Sequence, residues 1–197
     1  MKILLLSVKG GVGKSSIAQN LAIYTGIQCV TNDLVVSDKC NTIQIKPMKK
    51  RIPIELIAKS NIIYDLGASY SSVDPRVSHA VILCDVIVIP TLTDERSLQG
   101  TIDTVNLVKE ANKPIAIIIN NFTCERKLNH AKNRLIIALG QLPIFSIRTT
   151  TLFERVAKDG SGWFSKVHHN KGEYQLNKTR IAHEKVYDAI IALGVNK

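Results

Sequence analysis

Apolar residues fall along this chain in short dense runs, and the residues between the runs are glycine, asparagine, proline and charge. Ile3-Leu4-Leu5-Leu6 is short enough for a buried strand, and from Ile17 to Ile23 apolar residues recur at helical spacing. Gln28 to Thr31 reads as a second strand, and residues 39–60 carry little pattern and read as a loop around Pro47 and Pro53. Asn61 to Gly67 is a strand bearing an acid near its end, Asp65. Val81 to Pro90 covers a helix end followed by a nearly continuous apolar strand, which Pro90 is expected to stop. Thr93 and Asp94 supply capping side chains for a helix reaching Glu110. Pro114 to Ile119 is a further buried strand, 125–139 a helix, Leu142 to Ile147 the last clear strand, and Lys178 to Leu193 a final helix.

Strands that are apolar throughout belong to parallel sheets covered on both faces. Their alternation with helices predicts an α/β fold of three layers, a mainly parallel sheet flanked by helices. The 197 residues fit a single domain spanning 1–197. No apolar run approaches the roughly 18 residues of a membrane-spanning helix. The apolar start is short, lacks a small-residue cleavage site and leads straight into a glycine-rich loop, unlike a signal peptide. Cys29, Cys40, Cys84 and Cys124 are scattered, with no C-x-x-C pair, which predicts reduced thiols and a cytoplasmic protein. His168 and His169 have no third ligand at matching spacing, so no metal is read from them.

Charge changes the picture. The net charge is +10, and it is uneven: residues 1–125 hold 13 Lys/Arg and 11 Asp/Glu, whereas residues 126–197 hold 13 and 5. A basic C-terminal third invites a polyanion such as nucleic acid, or serves only as a solvated basic face.

The chemistry concentrates at Lys9 to Ser16, KGGVGKSS, between the first strand and the first helix. Gly10, Gly11 and Gly13 let the backbone turn tightly and approach an anion. Amides from Gly11 through Val12 to Ser15 then face phosphate oxygens, aided by the helix N-terminus. Lys14 is placed to reach the β- and γ-phosphates, Ser15 to ligate Mg²⁺, and Ser16 to lie near the α-phosphate. This is a phosphate-binding loop of a P-loop NTPase fold, with ATP and Mg²⁺ as its expected ligands. Asp65, ending an apolar strand, fits the acid that holds the water shell of Mg²⁺ or accepts a hydrogen bond from Ser15.

The general loop pattern would place glycine at position 8, where this chain has Val8, and the chain adds Lys9. KGGVGKS resembles the deviant Walker A motif of the ParA/MinD family of dimeric ATPases, and the resemblance runs over roughly residues 1–165. It implies an ATP-dependent homodimer in which Lys9 reaches the partner's nucleotide. It implies catalytic roles for Lys9, Lys14 and Asp33, the last matching the first acid of the family's D-x-D-like signature. The second position is Val35, which removes an expected partner of the attacking water and implies slow hydrolysis; Asp38 lies three residues on. Asn120, after its strand, implies a contact to the adenine edge, with a turn-forming asparagine as the alternative, and Arg148 falls where relatives line the base. The family's usual work is plasmid or chromosome partition, on nonspecific DNA and with a centromere-binding or other adaptor protein, which would associate the chain with the nucleoid. The alternative is a weakly hydrolysing switch that recruits partners in conjugative DNA transfer or cellular positioning. The C-terminus has little basic character, so a membrane helix of the MinD type is disfavoured.

Overall fold

The computed structural model describes residues 1–32, 42–45, 51–67, 74–151 and 174–195. Its centre is a seven-stranded sheet in the order β3-β2-β4-β1-β5-β6-β7, with every pairing parallel. The strands are β1 (Lys2–Ser7), β2 (Cys29–Thr31), β3 (Thr42–Gln44), β4 (Ile62–Gly67), β5 (Val86–Thr91), β6 (Ile115–Phe122) and β7 (Ile144–Arg148). The helices are α1 (Lys14–Thr25), α2 (Ile54–Ile57), α3 (Pro75–Leu83), α4 (Glu95–Val108), α5 (Glu125–Leu139) and α6 (Tyr174–Val195).

The period of two in each strand sorts its apolar residues to two faces. Ile3, Leu5, Ile63, Val88 and Ile118 pack with Ile17 and Leu21 of α1 and with Tyr187 and Ile190 of α6. Leu4, Leu6, Tyr64, Ile87 and Ile117 pack with Val77 of α3, Leu98 of α4 and Leu128 and Leu135 of α5. Three layers result, as the alternation predicts. Each fully buried Leu or Ile contributes about 1.5–3 kcal/mol over an exposed one, so the central strands carry much of the stability.

Two expectations are corrected. Within 39–60 the chain forms β3 and α2. The strand is three residues long and mostly exposed, and it exists because β2 offers it a free edge, which no local pattern announces. Pro90 does not stop β5 but lies within it, paired with Ile118. The Ile87 amide donates to the Pro114 carbonyl on the β6 side. Residues alternate sides along the strand, so the Pro90 nitrogen faces β1, whose ladder with β5 already ended at Val88. No amide is needed there.

The final helix is longer than the periodicity suggests, Tyr174–Val195 against 178–193. Among the described residues no helix is long and apolar enough to cross a membrane. No group of His, Cys, Asp and Glu that could hold a metal occurs among them either. Cys29 and Cys84 are buried and Cys124 is exposed, and none of the three is in a disulfide among the described residues. Cys40, His168 and His169 lie outside the described residues.

Candidate functional site

β1 delivers the loop to the C-terminal edge of the sheet, where β4 ends beside it, Asp65 opposite Leu5 and Gly67 opposite Ser7. The loop then runs from Val8 to Gly13, the N-cap of α1. Gly13 has φ 85° and ψ 20°, the left-handed region, and a Cβ there would lie 2.2 Å from Asn120 Nδ2. Conformation and space both require glycine at this position. The N-cap side chain makes no hydrogen bond to α1 and no acid occupies its first turn, so nothing within the helix itself offsets the positive end of its dipole. Gly10 and Gly11 are exposed, and a Cβ on either would meet none of the described residues within 4 Å, which leaves the front of the loop open among them.

Lys14 and Asp65, 51 residues apart, meet at 2.5 Å between Nζ and Oδ1. Asp65 is 1% exposed and Lys14 12%. A buried carboxylate is tolerated only when its oxygens are satisfied, and the second oxygen, Oδ2, accepts from the Thr31 hydroxyl at 3.0 Å. Lys14 Nζ also lies 3.5 Å from Ser15 Oγ. Lysine, hydroxyl and acid are therefore one cluster. Beside it the Gly67 amide donates to Asn32 Oδ1 at 3.1 Å. Thus the end of β2 pins the end of β4 twice.

Lys9 sits at the front. The Ser7 hydroxyl accepts from the Lys9 amide and donates to the Lys9 carbonyl, and Lys9 Nζ donates to the Gly10 carbonyl at 3.0 Å. The Val8 amide donates to Thr104 Oγ1 of α4 at 3.2 Å. Val12 is buried, and its carbonyl accepts from Asn120 Nδ2 at 3.1 Å. Asn120 thus lies beneath the loop, 5% exposed, with its Oδ1 buried and unpartnered. Ser16 gives its carbonyl to Asn20 Nδ2 at 2.8 Å.

Arg148 is placed apart. Its guanidinium donates to Glu125 Oε1 at 2.7 Å and lies 5.1 Å above the Phe122 ring. It borders a cavity of about 480 Å³ lined also by Ser146, Lys178, Thr179 and His183. No described contact joins it to the loop. Asp33, Val35 and Asp38 lie outside the described residues.

Sequence reasoning misses Thr31, Asn32 and Thr104. Strand-end hydroxyls and amides have no diagnostic spacing, so their partners emerge only when strands align. It also misses Gly100, mid-helix in α4, though a glycine inside a helical pattern does signal a close approach.

No family model matches the sequence, and no curated protein does. Solved structures do match by shape. An ATP complex of Cyanothece McdA carrying D38A is 14% identical, with 100% of this chain and 98% of that one covered and a TM-score of 0.62. The septum site-determining protein MinD of Pyrococcus horikoshii OT3, complexed with Mg-ADP, is also 14% identical, with 100% and 99% covered and a TM-score of 0.65. A plasmid partition protein of Borrelia burgdorferi B31 bound to AMPPNP is 16% identical, with 98% and 97% covered and a TM-score of 0.56. This chain has the ParA/MinD-type fold. Within that fold, Lys9–Gly13 lies in the β1–α1 loop, Lys14–Ser16 opens α1, and Asp65 lies on the neighbouring strand β4.

Proposed function

We propose that this chain is an ATP-dependent dimerising ATPase of the ParA type. The observation that carries the reading is a pair of lysines at the two ends of one glycine run, Lys14 at the start of α1 directed inward to Asp65 and Lys9 held at the open front. The three solved structures named above contain ATP, Mg-ADP or AMPPNP. Mg²⁺–ATP fits the residues of this loop: an uncapped helix start, an open front at Gly10 and Gly11, and a hydroxyl and an acid together at Ser15 and Asp65. Gly10 to Ser16 would hold the phosphates, and Ser15 and Asp65 the metal. When bound, Mg²⁺ neutralises charge on the phosphate oxygens as the terminal group is transferred.

The chain's own residues do the rest. Thr31 keeps one oxygen of Asp65 engaged, so the other is the one that Lys14 shares with an incoming ligand. Lys14 can exchange a carboxylate for phosphate oxygens without losing a charge-assisted partner. Asn120 holds Val12 and Gly13 down, and its free Oδ1 is an acceptor suited to an exocyclic amine such as that of adenine. Lys9 reaches the second nucleotide of the dimer, Asp33 serves as the first acid of the catalytic signature, and Arg148 borders the base. The basic C-terminal third binds DNA without sequence preference, an adaptor such as a centromere-binding protein reads the dimer, and the work is partition or positioning.

One feature favours a second reading, a switch with little hydrolysis. Val35 stands where an acid would support the attacking water, and positioning is most of this catalysis. One experiment addresses both. Titration with a fluorescent ATP analogue tests binding, sedimentation with ATP tests dimerisation, and turnover with and without DNA separates enzyme from switch. A chain that binds no ATP overturns both.

A further inference from the structure

We propose that helix α4 sets the position of Lys9, with Thr104 and Gly100 as its positioning residues. This rests on the reading of Lys9 as a group that acts across the ATP dimer.

Two residues of one helix meet the front of the loop. Thr104 is fully buried, and its hydroxyl donates to the Gly100 carbonyl at 2.6 Å while accepting from the Val8 amide at 3.2 Å. One hydroxyl therefore ties the residue before Lys9 to the helix backbone one turn away. Gly100 is buried, and a Cβ there would lie 3.0 Å from Lys9 Cβ and 3.8 Å from Val8 Cγ2. The stem of Lys9 thus lies directly on the helix backbone, a contact only glycine leaves unstrained. At the start of α4 the Asp94 carboxylate accepts from the Ser97 amide at 3.0 Å and the Ser97 hydroxyl at 2.7 Å. Asp94 is held below its ordinary range first by that hydroxyl and also by the charge of Lys9.

Lys14 is located differently. It lies on α1 and is anchored by Asp65 of β4. The two lysines therefore have separate supports, and a change in α4 separates their functions. A lysine that reaches another subunit needs a fixed root, because a flexible stem loses rotamer freedom on every encounter. α4 supplies that root without touching the site of Lys14.

The test uses the full chain and Mg²⁺ with a slowly hydrolysed ATP analogue. Thr104→Val keeps the shape and removes the hydroxyl, leaving the Val8 amide unpaired. The dimer dissociation constant should rise up to about tenfold, the cost of ordering one loosened lysine stem at the interface, while analogue affinity stays within about twofold. Thr104→Ser restores the hydroxyl and should restore the dimer. Gly100→Ala should weaken the dimer with no more effect on analogue binding, although alanine is the better helix former. In a Lys9→Ala background, Thr104→Val should weaken the dimer no further. An unchanged dimer in both Thr104→Val and Gly100→Ala overturns the proposal, as does equal loss of analogue affinity and dimer, or undiminished weakening without Lys9. A wild-type chain that binds the analogue yet never dimerises overturns the parent reading, and this one with it.

Discussion

At the loop edge of the sheet, Lys14 and Asp65 are 12% and 1% exposed and meet at 2.5 Å, with Thr31 engaging the remaining oxygen. On α5, β7 and α6 the charges behave otherwise. Arg126, Lys127 and Lys178 are exposed and form no ion pair among the described residues. Arg134, Arg148 and Arg180 pair with Glu95, Glu125 and Glu184 near the surface, where such pairs are worth about 0–1 kcal/mol. Few charges in a buried, interlocked set mark chemistry. Many exposed charges mark a field, which acts on a large polyanion or on solvent. The described basic residues of α5 and α6 are therefore a statement about surface, and the buried pair of Lys14 and Asp65 is a statement about a site.

The sharpest way to break the contrast is Lys14→Ala. It should lower ATP affinity at least about 100-fold, since charge-assisted bonds to phosphate disappear. It should also destabilise the chain without nucleotide by about 3 kcal/mol, because Asp65 is left buried and unpaired. Calorimetry reads the first effect and urea denaturation the second. Adding Asp65→Asn should recover much of the stability and none of the binding.

Next in size is Gly13→Ala. The left-handed backbone and the 2.2 Å approach to Asn120 together should cost about 2–4 kcal/mol. The denaturation midpoint checks it. If the clash is the cause, Asn120→Ala in the same chain recovers part of the loss, whereas strain of the backbone alone would leave it unrelieved.

The basic face should respond the opposite way. Replacing Arg126, Lys127 and Lys178 by glutamine should change stability by less than about 0.5 kcal/mol. The same changes should lower the slope of log affinity for duplex DNA against log salt by about 0.9 for each phosphate that is no longer neutralised. Gel shifts at two salt concentrations with ATP read this. An unaltered slope would mean that these residues only keep the chain solvated.

The smallest effect concerns the buried histidine of α6. Burial holds the His183 imidazole below its ordinary value of 6.5, against a weaker opposing bond to the Thr179 carbonyl. The unfolded chain then binds the extra proton more readily than the folded one, so stability is complete above pH 6.5 and declines as pH falls below it. His183→Gln should flatten that limb of the stability–pH curve, measured by denaturation from about pH 7 down to about pH 5.

The alternation of apolar runs was enough for the α/β layers, because burial on two faces and a period of two are local properties of β1, β4, β5 and β6. KGGVGKSS was enough for the loop, because glycine at these spacings has few other uses, and Asp65 was legible as the acid ending an apolar strand. The sequence did not reveal β3 or the place of Pro90, since each depends on what the neighbouring strand offers and where its ladder stops. Nor did it reveal that Thr31 holds Asp65, that Asn120 lies under Gly13, or that α4 grips the root of Lys9. Those contacts join residues 34, 108 and 96 positions apart. The residue types at a site are written locally. Their mutual distances are set only when parallel strands align their C-terminal ends and bring remote hydroxyls and amides to one edge.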